Sequence, residues 1–262
     1  MELIVSYSGI RFRDEPVARL GPAFSMAYSE YLDAKHSSQG HFANMCTVLL
    51  ARDTRHTSEF YKDCFASALS GYNVVDLGVC PVPSLQWVMN NSFQNVVGAV
   101  MVSASHNELE WNGFKMLKPS GLCLNHDDIT GILNAEKHYL NRDISLQERV
   151  LQECDAWIDH LNAIYTAIPG DYSHLSVAID TCNGAARLAL PMLLKMYGCE
   201  VHQLDNINNR GLTRNPHPIA ANISKLGEYV KSKGCHLGFA TDSDGDRLAI
   251  VDENGNVMDE AY

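Results

Sequence analysis

The sequence predicts an α/β protein built as two layered units in series, and three observations carry that reading. Short β-branched runs alternate with longer amphipathic stretches, the cadence of strand–helix–strand units. The runs are nearly continuous in apolar residues, as expected for strands of a mostly parallel sheet covered on both faces. The cadence halts at a polar stretch, Asn141 to Gln147, and then resumes. A chain of 262 residues, 46% of them hydrophobic, can bury one large core or two of moderate size.

In chain order, the first strands are expected at Thr47 to Ala51, Asn73 to Leu77 and Val96 to Val102. Helical spacing fills Ser58 to Leu69 and Ser84 to Asn91, each opened by a serine suited to capping exposed backbone N–H groups. After the polar stretch a helix runs toward Ile168 and ends before Pro169-Gly170. Strands follow at Ser176 to Asp180, Glu200 to Leu204 and Leu237 to Thr241, with helices near Arg187 to Met196 and Ile219 to Lys233 between them. The final residues, DENGNVMDEAY, read as a turn and the start of another helix. The division places one domain at residues 1–143 and a second at residues 144–262.

Charge narrows the function. The formal net charge is −11 with no long basic block, which argues against a nucleic acid or an anionic membrane as partner. The eight cysteines are scattered, Cys64 and Cys80 being the nearest pair, and form no CxxC. They fit reduced thiols of a cytoplasmic protein better than a disulfide framework or a zinc knuckle. The N-terminus lacks the basic start and apolar run of a signal peptide, and no apolar stretch is long enough to span a membrane.

The sharpest local signal is Asp242-Ser243-Asp244-Gly245-Asp246-Arg247, three carboxylates at alternate positions after an apolar strand. Ordered about 5 Å apart at an effective dielectric near 20, each pair repels by roughly 3 kcal/mol, so a counter-charge is needed. Oxygen ligands favour Mg²⁺ or Ca²⁺. An EF-hand count starting at Asp242 reaches Glu253, but Arg247 stands where that loop needs glycine and Leu248 to Val251 read as a strand. Magnesium is the expected ion, and an ion-free acidic turn is the plain alternative. A second signal, Ser103-Ala104-Ser105-His106-Asn107, leaves the strand Val96 to Val102 and precedes Trp111-Asn112-Gly113-Phe114-Lys115. Loops at strand carboxyl ends are where open α/β sheets hold ligands. Taken alone, the segment is compatible with a polar turn or with an acyl-transfer serine. No GxSxG elbow supports the second, and adjacent residues on an extended loop tend to point apart.

Together these segments resemble the α-D-phosphohexomutase family of phosphoglucomutases, phosphomannomutases and phosphoglucosamine mutases. The resemblance runs from Ser8-Gly9-Ile10-Arg11 and Arg52-Asp53-Thr54-Arg55 through Asp76-Leu77-Gly78 and Pro81-Val82-Pro83 to SASHN, EWNGFK and DSDGDR. It implies two consecutive three-layer α/β/α domains with mixed, mostly parallel sheets. It further implies a phosphoserine at Ser105, with Mg²⁺ held by Ser105, Asp242, Asp244 and Asp246. Lys115 or His106 is nominated for proton transfer, and Arg11 and Arg247 for fixed positive charge around the phosphate. The implied reaction interconverts sugar 1-phosphates and 6-phosphates of a phosphorylated hexose through a sugar 1,6-bisphosphate.

Three positions depart from the family pattern. Glu108 stands where proline is usual and adds negative charge beside Ser105. Phe12 replaces a common glycine, so the N-terminal loop is expected to pass the site differently, and Ser243 for glycine reads as mild. Family members also continue through a third and fourth domain that recognise the sugar and its distal phosphate. The expectation is therefore an N-terminal half, weakly active or inactive alone. A non-catalytic metal-binding or partner-binding remnant of the same fold is the alternative.

Overall fold

The computed structural model describes residues 2–6, 9–13, 19–37, 43–204 and 211–258. It contains two consecutive α/β/α domains. The first opens with a hairpin, β1 (Glu2–Ser6) and β2 (Gly9–Arg13), followed by α1 (Leu20–Ser37), β3 (Thr47–Arg52), α2 (Ser58–Ala68), β4 (Asn73–Val79), α3 (Val82–Asn91), β5 (Val96–Val102), β6 (Asn112–Leu117) and α4 (His126–Leu140). Its strands lie in the order β1-β2-β6-β5-β3-β4, with β3 parallel to β4 and β5 and the remaining pairs antiparallel. Farther along come α5 (Trp157–Ala167), β7 (Ser176–Asp180), α6 (Ala189–Met196), β8 (Glu200–Gln203), α7 (Ala220–Lys233), β9 (Leu237–Thr241), β10 (Leu248–Val251) and β11 (Val257–Met258). The second sheet is ordered β11-β10-β9-β7-β8, with β7 parallel to both β8 and β9.

The unbroken apolar runs follow from burial on both sheet faces. Successive side chains of β3 point to opposite sides, Val48 and Leu50 into one core and Leu49 and Ala51 into another. The first core is filled by aromatic rings, Phe12, Phe24, Tyr61, Phe65 and Phe114, with Phe65 and Phe114 centroids 5.0 Å apart. Phe12 is thus a core residue, fully buried, which accounts for its departure from glycine. The other core joins Leu85, Val88 and Met101 to Trp157, Leu161 and Ala189. Helix α5 therefore packs one sheet's helices against the other's, and this shared apolar layer sets how the two sheets' loop ends face each other. In the second domain β7 repeats the pattern, with Ala178 on one face and Val177 and Ile179 on the other.

Strands β5, β7 and β9 coincide with the expected ones; β3 and β4 run a little longer, and β8 stops at Gln203. The serines expected as caps do other work. Ser58 Oγ donates to Asp53 Oδ1 (2.5 Å) and Ser84 Oγ pairs with His160 Nδ1 (2.9 Å), leaving the N-caps to Thr57 and Pro81 without a side-chain cap bond. The helix expected from Arg187 divides into a 3-10 turn, Ala185–Arg187, and α6. In the final segment DENGNVMDEAY the expected turn leads into strand β11 at Val257–Met258 rather than a helix, and residues 259–262 lie outside the described residues, as does Ser8. All eight cysteines are free thiols. Among the described residues no helix is long and apolar enough to cross a membrane.

One close approach makes a stability test. A Cβ added at Gly227 of α7 would overlap the carbonyl oxygen of Gly255 in the turn between β10 and β11, and neither partner is a flexible side chain. Gly227→Ala is expected to lower unfolding free energy by about 1–3 kcal/mol in urea titrations, whereas Gly131→Ala inside α4, whose Cβ meets nothing, should raise it by up to about 1 kcal/mol and controls for the helix propensity of alanine.

Candidate active site

Two loops meet at the carboxyl ends of their strands, Ser103–Asn107 after β5 and Asp242–Arg247 after β9. The first is shaped by a left-handed residue, Ser105 at φ +52°, whose amide donates to Ser103 Oγ (2.9 Å) while Ser103 Oγ donates to buried Asp53 (2.7 Å). The second is held by Ala185 N–H on Ser243 O (2.7 Å) and Val82 N–H on Asp244 O (2.9 Å), contacts from the two flanking helical segments. Side chains then join the loops. Ser105 Oγ donates to Asp242 Oδ2 (2.8 Å) and Ser243 Oγ donates to the Ser105 carbonyl (2.7 Å). Ser243 is therefore more than a mild change from glycine, because its hydroxyl ties the two loops at their centre.

The left-handed turn also alters the expected relation of Ser105 to His106. Instead of pointing apart, Ser105 Oγ and His106 Nδ1 lie 3.2 Å from each other. The serine proton is already directed at Asp242, so the pair is not arranged as a nucleophile donating to its base. Burial first, then Arg247, Arg11 and His217, lower the His106 pKa to about 4, which keeps the imidazole neutral.

Asp242, Asp244 and Asp246 offer carboxylate oxygens that all lie within 4.8 Å of one another. Asp242 and Asp244 are fully buried. Burial and the neighbouring Asp244 and Asp246 charges push the Asp242 carboxyl well above the ordinary carboxylate range. Lys115 Nζ contacts Asp244 (2.6 Å) and Asp246 (2.5 Å). Burial works against the Lys115 ammonium, but the two carboxylates outweigh it and hold its pKa above the ordinary lysine value. Beyond that lysine, neither oxygen of Asp244 has a hydrogen-bond partner among the described residues. Three carboxylates converging within 4.8 Å, one of them buried and met only by Lys115, form an all-oxygen cluster that fits a hard divalent cation such as Mg²⁺. The loop continues into strand β10 with no helix on either side, which removes the EF-hand.

Arg11 reaches the cluster from β2, where it pairs with Gly113 of β6; Lys115 lies two residues along and so on the same face. Its charge is felt by Asp244, Asp246 and Asp242. Arg247 Nη1 sits 3.4 Å from His217 Nε2, and the His217 ring lies 5.1 Å from that of His106. The structure thus brings all eight residues singled out from sequence to one seam between the sheets.

Two further groups were not legible as site components. Buried Arg55 spends its guanidinium on the serine loop: Nη2 donates to Ser105 O (2.9 Å) and Asn107 O (2.8 Å), Nη1 to Glu108 O (2.7 Å) and Trp111 O (2.9 Å), and Nε to Asp53 (3.1 Å). His217 arrives from the segment before α7 and gives no spacing signal with His106. Glu108, expected to load charge beside Ser105, turns its carboxylate outward to Arg13 (3.7 Å) and is exposed.

Fold and site together define an α/β/α protein with a hydroxyl, a carboxylate triad and two arginines gathered at an interdomain seam. Family models for phosphoglucomutase/phosphomannomutase match it twice, α/β/α domain I over residues 18–142 and domain II over residues 155–255. The chain belongs to the phosphoglucomutase/phosphomannomutase family. It is 33% identical over 220 residues to a phosphoglucomutase/phosphomannomutase of Thermococcus kodakarensis, covering 80% of this chain and 47% of that protein. To a phosphoglucosamine mutase of Prochlorococcus marinus it is 28% identical over 218 residues, covering 81% and 48%. The chain spans about half the length of these relatives. Two solved structures share the fold. A phosphoglucomutase/phosphomannomutase family protein from Burkholderia thailandensis superposes with TM-score 0.75 at 24% identity over 97% of this chain and 56% of its own. The exocytosis-sensitive phosphoprotein parafusin, a phosphoglucomutase from Paramecium, gives 0.75 at 16% over 95% and 52%.

Proposed function

We propose that this chain carries the phosphoryl-transfer centre of a phosphohexomutase that interconverts sugar 1-phosphates and 6-phosphates. The observation that supports it best is the 2.8 Å contact between Ser105 Oγ and Asp242, a hydroxyl of one domain set against the oxygen cluster of the other. Ser105 is the phosphate carrier. Asp242, Asp244 and Asp246 are the residues that would hold Mg²⁺ beside it, where the ion when bound withdraws charge from the phosphoryl group. Transfer breaks the bond from phosphorus to Ser105 Oγ and forms one to a sugar hydroxyl oxygen, giving a sugar 1,6-bisphosphate that returns its other phosphate to Ser105. Arg11 and Arg247 face the site with guanidinium groups suited to phosphate oxygens. His106 stands neutral beside Ser105, fit to accept a hydroxyl proton, while Lys115 keeps its proton and its charge. We place this activity in the cytoplasm, because eight free cysteines suit a reducing compartment.

The outward turn of Glu108 toward Arg13 takes away the added charge beside Ser105 that spoke for the non-catalytic alternative. The test is intact mass spectrometry after treatment with glucose 1,6-bisphosphate and Mg²⁺. The chain is expected to gain the mass of one phosphoryl group, with EDTA suppressing the gain. An unchanged mass under both conditions contradicts the reading.

A further inference from the structure

The geometry points to a second oxyanion site, on Arg52 and Arg187, that takes a hydroxyl-bearing phosphomonoester and joins the two domains. A cavity of about 510 Å³ opens between the end of β3 and the turn that precedes α6. Arg55, which tethers the serine loop, forms part of its wall, but none of Ser105, His106, Lys115, Asp242, Asp244 and Asp246 lines it, so the cavity adjoins the centre described above without sharing its reacting groups.

Arg187 projects from the 3-10 turn after β7, and its Nε and Nη1 are buried without a hydrogen-bond partner. Among the described residues it makes no ion pair either. Arg52, at the end of β3, faces the same cavity and also has a buried Nε without a partner. Its Nη2 reaches Glu153 at 3.4 Å and Glu59 at 3.8 Å, both carboxylates more than half exposed and therefore weakly held. Burial first and the like charge of Arg52 second depress the Arg187 pKa.

Two guanidinium groups share one cavity with three buried N–H donors unmet, and each unmet donor of a charged group is costly to keep. A phosphate supplies the missing acceptors in the forked geometry that arginine favours. Glu59, Glu153 and Asp155 line the same cavity and repel a bare anion, so they select a phosphate ester whose hydroxyls donate to them. Arg52 belongs to the first sheet and Arg187 follows a strand of the second, so such a ligand bridges the domains whose contact assembles the serine–aspartate centre.

The site stands whether or not the catalytic reading does, and the experiment separates them. Trp157 lines the cavity, and its indole N–H resonance, assigned with Trp157→Phe, reports on occupancy during titration with glycerol 3-phosphate. A saturable shift is expected, with inorganic phosphate binding more weakly. Arg187→Gln should weaken the glycerol 3-phosphate response about tenfold or more, in line with losing a charged hydrogen bond, and Arg187→Lys should restore part of it. Arg52→Gln provides a second variant should Arg187→Gln fold poorly, and Arg247→Gln should leave the Trp157 response intact. No saturable shift of Trp157, or one that both Arg187→Gln and Arg52→Gln leave unchanged, overturns the site. A Trp157 shift lost only in Arg247→Gln assigns the binding to the catalytic centre and equally overturns it.

Discussion

Replacing Ser105 by alanine is expected to abolish phosphoryl uptake from glucose 1,6-bisphosphate, while the chain keeps its fold. The change removes the oxygen that would carry the phosphate, so loss of labelling should be complete rather than graded. The structural cost is modest. Ser105 Oγ donates to Asp242, but the backbone carbonyl of Ser105 still receives Ser243 Oγ and Arg55 Nη2, and its amide still reaches Ser103. Loss of one such hydrogen bond costs about 1 kcal/mol. Peptide mapping of the treated wild type should place the added group on Ser105. A phosphorylated alanine variant would move the carrier to another residue.

The largest stability effect is expected at Arg55. Its guanidinium satisfies the carbonyls of Ser105, Asn107, Glu108 and Trp111 and neutralises Asp53, which is fully buried. Arg55→Ala leaves that carboxylate with its serine donors but no cationic partner and the loop carbonyls unmet, a loss of about 3–5 kcal/mol in unfolding free energy by analogy with other broken buried ion pairs. Arg55→Lys should rescue little, because a single ammonium cannot reach carbonyls spread around a planar fork. Urea unfolding measures the loss, and phosphoryl uptake should fall with it because the loop presenting Ser105 is untethered. A change within about 0.5 kcal/mol, the range of ordinary surface substitutions, would show that the loop is held by something else.

How far the sequence could be read depended on where each signal lies. Strands β5, β7 and β9 were legible to the residue because burial on both faces leaves an apolar run with clear ends. The hairpin β1–β2 and strand β6 were not, since β2 joins the sheet through residues Asn112 to Phe114, a pairing no local pattern reports. Helix α4 does carry a local signal: Asn125 caps it by accepting from Asp128 N–H, acidic residues fill its first turn and Lys137 and His138 its last. At the site, the alternating aspartates and the serine after β5 were visible because their chemistry is compressed into a few residues. Arg55 appeared only as part of a motif, and nothing in Arg52-Asp53-Thr54-Arg55 says that its guanidinium gathers backbone carbonyls from a distant loop. The turn at Ser105 was equally hidden, since a left-handed serine is imposed by the contacts around it rather than by its own preference.

The central claim is that a phosphate on Ser105 and a divalent ion on Asp242, Asp244 and Asp246 share one centre. The most direct measurement is the ³¹P resonance of the phosphorylated chain during titration with Mn²⁺, a paramagnetic stand-in for Mg²⁺. The phosphoserine signal is expected to broaden until it is lost at stoichiometric Mn²⁺, and Asp244→Asn to raise the Mn²⁺ needed by about a hundredfold. A sharp phosphoserine signal at saturating Mn²⁺, or broadening that Asp244→Asn leaves untouched, would contradict it.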